Sequence, residues 1–146
     1  MKTIDQLQDE IIEEFEGLDD WMDRYAVIID LGNTLDNMPE ELKTPDNLID
    51  GCQSRVWIYP TLDEDGKLWF QADSDALIVK GIVAMLLRAL NGHTPQEILD
   101  SDLHFIQAIG LQEHLSPTRS NGLVAMVKRI RTIAAVAAAT HDDDKK

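Results

Sequence analysis

At 146 residues, the chain is long enough for one domain with a modest hydrophobic core. Thirteen basic and 27 acidic residues give a formal net charge of −14, so the surface repels nucleic-acid phosphates and anionic membranes. One cysteine excludes an internal disulfide, and the sequence has neither a recognisable signal peptide nor a run of about 20 apolar residues that could cross a bilayer. We therefore expect a cytoplasmic protein.

Two helices are predicted at the N-terminus. Thr3 and Gln6 form a capping box, and a second helix begins near Asp19 or Asp20. Apolar residues at helical spacing mark the buried faces: Ile4, Leu7, Ile11, Phe15 and Leu18 in the first helix, and Trp21, Tyr25, Ile28 and Leu31 in the second. Residues 37–47 contain two prolines and many polar side chains, which predict a loop.

A β-hairpin is predicted next. Residues 55–59 and 67–71 are rich in β-branched and aromatic side chains, and the acidic segment 63–66 between them ends in glycine. Asp63 and Asp65 are also typical of a calcium-binding loop. An EF-hand needs a third oxygen ligand before its glycine and a late glutamate, and neither is correctly spaced, so a turn is favoured.

Helices return after residues 73–75. We interpret these residues, Asp-Ser-Asp, as a helix start rather than as a pair of catalytic carboxylates, because helix N-termini favour oxygen acceptors and negative charge. Gly92 ends this helix, Thr94 and Glu97 form a second capping box, a further segment runs from residue 103 to 109, and Ser116-Pro117 opens the last helix. The apolar faces are Ile78, Ile82, Met85, Leu86, Ala89 and Leu90, and then Leu123, Met126, Val127, Ile130, Ile133, Ala134 and Ala137.

The order of helices, small antiparallel sheet and helices predicts an α+β fold with the helices packed on one face of the sheet. We expect a single domain over residues 1–140. Residues 141–146 form a charged tail that we expect to be disordered.

Cys52 is the only cysteine, and its sequence context is unusual for a core residue. It lies in a short polar stretch after Leu48-Ile49, directly behind Gly51 and ahead of Gln53. A lone cysteine is most often a small buried residue, but burying this one would draw its polar neighbours inward. We therefore favour an accessible thiol on a loop, available as a nucleophile.

Few other residues indicate chemistry. The histidines lack the spacing of paired metal ligands, which favours surface or packing roles for His93, His104, His114 and His141. A dyad of Cys52 with His114 stays open, because the sequence does not show contacts made by the fold. Lys80 and Arg119 could activate a nearby thiol or bind a substrate carboxylate, or could be solvated surface charges. No metal site is predicted, and without a glycine-rich phosphate loop no nucleotide site is either.

Three blocks of the sequence resemble the SufE family. The run from Gly51 to Trp57 resembles the family's sulfur-acceptor loop, and Asp73–Ala76 with Ile78–Gly81 resembles the segment after its hairpin. The third block resembles the C-terminal signature through Leu111, His114, Leu115, Ser116, Pro117, Arg119, Gly122 and Leu123. The blocks keep the family's order across residues 48–126.

This resemblance implies a function and a fold. Cys52 would accept persulfide sulfur from a SufS-type cysteine desulfurase, stimulate that enzyme and deliver sulfur for iron–sulfur cluster assembly. The chain would be an accessory protein rather than an enzyme, without a cofactor, because the desulfurase carries pyridoxal phosphate. The implied fold is α+β and similar to that of IscU-type scaffold proteins. Residues implied to bind the partner or support the loop are Gly51, Gln53, Ser54, Asp75, Lys80, His114 and Arg119.

Two other functions stay open. A cysteine hydrolase would use Cys52 as its nucleophile and His114 as the base, acting on a small acyl or amide substrate. A structural interaction domain would carry an incidental thiol, and Cys52→Ser would then leave the partner's activity unchanged.

Overall fold

The computed structural model of the chain describes residues 2–49 and 54–144, except for the side chains of residues 112, 118, 119 and 141–144. Its helices and strands are α1 (Ile4–Glu16), α2 (Trp21–Gly32), β1 (Val56–Leu62), β2 (Leu68–Ser74), α3 (Leu77–Leu90), α4 (Pro95–Asp100), α5 (Phe105–Ala108), α6 (Leu111–His114) and α7 (Pro117–Asp144). Two short 3₁₀ turns, Glu40–Leu42 and Pro45–Asn47, lie in the segment predicted as a loop. None of the described helices is long and apolar enough to cross a membrane.

The predicted starts of α1, α2 and α4 are confirmed by their capping bonds. The Thr3 hydroxyl accepts from the Gln6 amide at 3.1 Å, and the Gln6 side chain accepts from the Thr3 amide at 2.9 Å. Asp20 caps α2 through the Met22 amide. A second capping box opens α4, with proline at its first position. These side chains satisfy amides that have no partner within the helix, so local sequence sets where each helix begins.

The helix α3 forms the centre of the core. Apart from Lys80 and Arg88 its sequence is apolar on all sides, and ten of its residues are buried. A helix of this kind is stable only when other elements surround it. Here α2 packs against it closely at Gly81, and β2 covers another side. Gly92 ends the helix region with a φ of 79°, a left-handed conformation that favours glycine.

The two strands form an antiparallel hairpin that pairs from Val56 opposite Ser74 to Leu62 opposite Leu68. Alternate residues face the helices, and the buried ones are Val56, Ile58, Leu68, Phe70 and Ala72. The predicted α+β fold, a small antiparallel sheet with helices on one face, is therefore confirmed. Each strand extends further than its β-rich run predicted.

The hairpin turn is built around Asp63. One oxygen of its carboxylate accepts from the amides of Asp65 and Lys67, at 3.0 and 2.9 Å, and the other accepts from the Trp69 indole at 2.9 Å. These bonds hold the pKa of Asp63 below its usual range, the Trp69 bond being the largest cause. The prediction of a turn is confirmed, because the Asp63 oxygens already bind the hairpin itself.

The interpretation of residues 73–75 as a helix start is wrong. β2 continues through Ser74, and α3 begins only at Leu77, after an Ala76 N-cap that makes no side-chain bond. The carboxylates of Asp73 and Asp75 bind groups from other segments of the chain. Local propensity favoured a helix start, and it gives no information on partners such as Lys43 and the Arg55 amide, which come from other segments.

The long helix α7 packs through the buried apolar face that the spacing predicted. Leu123, Met126, Ile130 and Ala134 are buried along it. Its backbone continues four residues into the segment predicted as a disordered tail, because the alanine-rich run before it has high helix propensity. The domain boundary at residue 140 stays a prediction.

Candidate functional site

The segment that contains Cys52 is anchored at both ends. On its N-terminal side, the Ile49 amide donates to the Val56 carbonyl at 2.8 Å, and the Ile49 side chain is only 5% exposed. Leu48 also pairs with Trp57 as an isolated antiparallel bridge. Ile49 and Val56 are therefore both anchored in the core, beside the open end of the hairpin.

Asp75 fixes the returning end of this segment. Its carboxylate accepts from the Arg55 amide at 3.0 Å, and its own amide donates to the Arg55 carbonyl at 3.2 Å. The backbone bond continues the hairpin pairing by one position beyond β1 and β2, and the Asp75 side chain takes the place of a second backbone acceptor. Ser54, which precedes Arg55, is half-buried. The Asp75 side chain thus holds the backbone next to the predicted acceptor loop.

A second carboxylate, that of Asp73, binds two lysines. Its oxygens lie 3.0 Å from the Lys43 Nζ and 3.4 Å from the Lys80 Nζ. Asp73 is directly opposite Trp57 in the hairpin, and the Lys43 Nζ lies 5.4 Å from the centre of the Trp57 ring. The cluster joins the 3₁₀ segment, the hairpin and α3 beside the base of the loop.

Titration of the Asp73 cluster follows from these contacts. Burial alone would raise the pKa of Asp73, but hydrogen bonds from Lys43 and the Ser74 amide, together with the Lys80 charge, hold that pKa below its usual value. The pKa of Lys43 is raised, chiefly by its hydrogen bond to Asp73 and then by that to Glu40. Both groups are therefore charged at neutral pH.

His114 lies in a different cluster, between α2 and α6. Its ring stacks on Trp21 with the ring centres 3.8 Å apart, and its Nδ1 is 3.1 Å from the Gly110 carbonyl oxygen. The Tyr25 hydroxyl donates to the His114 carbonyl at 2.8 Å. The ring thus packs α6 against α2. Its predicted role toward Cys52, as a support or as a base, stays a prediction.

Three of the predicted site residues, Gly51, Cys52 and Gln53, lie outside the described residues. Arg119 is in the first turn of α7, and its side chain is also outside the described part. The predictions on these four residues stay predictions. Among the others, Asp75 and Lys80 lie at the open end of the hairpin. Asp75 is held there by its hydrogen bond with the Arg55 amide, and Lys80 by its ion pair with Asp73.

Sequence analysis missed Lys43, which was part of a predicted loop. Its contact with Asp73 joins residues far apart in the chain, and no local pattern marks such a pair. Trp57 and Asp73 were recognised only as members of sequence blocks. The only sequence feature that marks Lys43 is its position as a lysine in an acidic, proline-containing loop, and this feature does not indicate which residue the lysine binds.

A cluster with metal-ligand atoms lies elsewhere, where Asp5, Asp102 and His104 approach within 4.8 Å of one another. It was not predicted, because its ligands come from different segments. The His104 Nδ1 is 2.8 Å from an Asp102 oxygen, and this hydrogen bond is the largest cause of a raised pKa for His104 and a lowered one for Asp102. A surface ion pair accounts for the arrangement.

Comparisons with known proteins identify the family and the fold of the chain. A family model described as "SufE: Fe-S metabolism associated domain" matches residues 9–134. The chain therefore belongs to the SufE family, and its function is associated with iron–sulfur metabolism. A solution structure of a hypothetical protein from Thermus thermophilus has a similar fold, with a TM-score of 0.74 and 21% sequence identity. The similarity covers 91% of this chain and 96% of that one.

Proposed function

We propose that the chain is a sulfur carrier whose acceptor is Cys52. The observation that carries the proposal is that the only cysteine of a SufE-family chain lies between the two anchored ends, at Ile49 and Val56, well inside the matched region. By this proposal the chain accepts sulfur from a SufS-type cysteine desulfurase, stimulates it and passes the sulfur to an iron–sulfur scaffold in the cytoplasm. The chain itself catalyses no other reaction.

The transfer step balances without a further reagent. The Cys52 thiolate attacks the terminal sulfur of the desulfurase persulfide, which forms a new sulfur–sulfur bond on Cys52. The sulfur–sulfur bond of the desulfurase breaks, and its cysteine leaves as a thiolate with the bonding electron pair. The terminal sulfur keeps its proton as it moves to Cys52. No net oxidation occurs, so the chain needs neither a metal nor a cofactor of its own for this step.

The anchored base suits this chemistry. The thiol must reach a sulfur held inside another protein, so a short projecting segment needs a fixed origin. The Ile49–Val56 bond and the paired Arg55 and Asp75 fix that origin on the hairpin. Gly51 beside the thiol permits backbone conformations that other residues avoid, which would let the segment extend.

Intact-mass measurement tests the proposal. The protein is mixed with the SufS-type desulfurase of the same organism, pyridoxal phosphate and free cysteine. We expect a mass gain of one sulfur atom or more, reversed by a thiol reductant. The gain should be lost in Cys52→Ser and kept in the control Thr61→Ser, an exposed position of β1 near the hairpin turn. Absence of the gain while the desulfurase is active would contradict the carrier role.

The same experiment separates the alternatives. An incidental thiol predicts that Cys52→Ser stimulates the desulfurase as well as the natural chain does. A hydrolase predicts no sulfur gain and an activity on small thioesters or amides that His114→Gln removes.

A further inference from the structure

Charge is unevenly distributed along this acidic chain. Between Leu115 and Thr140 there are four of the 13 basic residues and none of the 27 acidic ones. The basic residues are Arg119, Lys128, Arg129 and Arg131. This stretch comprises most of α7, so the greater part of one helix is positive while the rest of the chain is strongly negative. Such a separation orients a protein in the field of a charged partner.

The exposed side of α7 carries apolar as well as basic residues. Val124 is 56% exposed and Val136 is 62% exposed. Lys128, which is also exposed, follows Val124 by four residues and therefore lies on the same side of the helix. These residues, with Asn121 and Thr132, form what we call the α7 stripe. No ion pair of Lys128 is found among the described residues. An apolar stripe around an uncompensated cation is a surface suited to a protein partner.

The α7 stripe is continuous with the base of the acceptor loop. A groove of about 510 Å³ lies between the helix and the residue just before the loop, and Ile49, Asn121, Val124 and Lys128 all line it. The Arg129 guanidinium also donates to the Asp46 carbonyl at 2.6 Å, which fastens the helix to the segment leading into the loop. A protein that holds the loop in its active site would therefore also reach the stripe.

We infer that the α7 stripe is a docking surface for an acidic, partly apolar patch on the cysteine desulfurase, beside the entrance to its active site. The inference rests on the proposed function. Two arguments assign the partner. The negative charge on the rest of the chain repels an acidic surface, so such a surface would bind at the positive α7 stripe. The stripe also borders the base of the loop that the desulfurase must bind. Docking there would place the loop at the entrance before any sulfur moves.

Charge reversal at Lys128 tests the inference. Lys128→Glu should raise the dissociation constant for the pyridoxal-phosphate-loaded desulfurase about tenfold at low salt, with a smaller effect at high salt, because exposed charges are screened. Binding is measured by isothermal titration, and sulfur transfer is followed in parallel. At saturating protein, the maximal transfer to Cys52 should equal that of the natural chain.

Lys2→Glu is the matched control. It makes the same change of charge on an exposed lysine, although among the described residues Lys2, unlike Lys128, pairs with a carboxylate, that of Glu10. Lys2 lies at the opposite end of the hairpin, because its carbonyl oxygen is 2.8 Å from the His93 Nε2 and the Leu68 amide donates to the His93 carbonyl. We expect it to change the dissociation constant less than about twofold. Val124→Ala, which favours the helix, should weaken binding by about threefold without any change of charge.

The outcomes are distinct. Equal weakening by Lys128→Glu and Lys2→Glu would show that binding depends only on net charge, and this would overturn the inference. Unchanged binding in both Lys128→Glu and Val124→Ala would show that the α7 stripe is not a docking surface. If Lys128→Glu alters only self-association of the chain in sedimentation, a second copy occupies the stripe and the inference fails. If the natural chain binds through the stripe but gains no sulfur on Cys52, the docking surface stands and the carrier role fails.

Discussion

The Asp73 carboxylate joins three segments of the chain, one of which, the segment around Lys43, is distant in sequence. It binds Lys43 before the acceptor loop and Lys80 on α3, and it belongs to β2 itself. Because its side chain is partly buried, these partners offset the cost of removing its charge from water. The ion pairs therefore hold the segment before Cys52 against the hairpin.

Replacing Asp73 with asparagine should lower the free energy of unfolding by about 1–2 kcal/mol at pH 7, since two partly buried ion pairs are lost. The folded-state pKa of Asp73 is lowered, so its stabilising effect is present above the unfolded carboxyl's pKa and disappears as the pH falls through the folded-state value. The difference between the natural chain and Asp73→Asn should therefore shrink from pH 7 toward strongly acidic pH. Urea unfolding at several pH values measures it.

Asp65→Asn controls for the general relief of negative charge. Asp65 is exposed in the hairpin turn, and asparagine keeps its backbone bond to Asp63. We expect no loss of stability from it at any pH. A deficit of Asp73→Asn that is constant with pH would argue against the ion pairs as its cause.

At this scale, the sequence predicts what neighbouring residues decide. Thr3 with Gln6 and Thr94 with Glu97 were identified because both partners of each box lie within one turn. The partners of Asp73 and Asp75 were not identified, because they come from elsewhere in the fold. Asp73 to Asp75 therefore resembled a helix start, and the structure uses them to hold the loop's base.

Among the helices and strands, the contact of α2 with α3 tolerates no additional atoms. A Cβ on Gly81 would lie 2.0 Å from the Ile28 carbonyl oxygen, and one on Gly32 would lie 2.9 Å from the Gly81 nitrogen. Two backbones that approach this closely exclude any side chain between them. Since α3 is the centre of the core, this contact fixes where α2 lies.

Gly81→Ala should therefore lower the free energy of unfolding by about 3 kcal/mol or more, because the clash is with backbone and cannot be relieved by a rotamer change. Gly17→Ala is the matched control, with open space around the new methyl group and a φ of −89° that alanine adopts. We expect its effect to stay within about 0.5 kcal/mol. Equal effects of the two substitutions in urea unfolding would contradict the close contact.

For the whole molecule, the buried apolar face of α7 ends before the charged tail. Its last fully buried residue is Ala134, and residues 142–144 are aspartates at the C-terminal end of a helix, where negative charge is unfavourable. A chain that ends at Thr140 should unfold within about 2 °C of the natural chain, or slightly above it. Calorimetry measures the midpoint, and a fall of several degrees would show that the tail contributes to the folded domain.

The sequence by itself determined the α+β class, the capped starts of α1, α2 and α4, the hairpin turn and the single cysteine with its family context. Each of these depends on periodicity, capping or composition within a short stretch, and local interactions act over that range. Only the tertiary structure decided that Lys43, Asp73 and Lys80 meet beside the loop, that Gly81 touches α2, and that the basic face of α7 borders Ile49. Those juxtapositions depend on how the helices pack on the hairpin, and packing brings together residues that no local pattern connects.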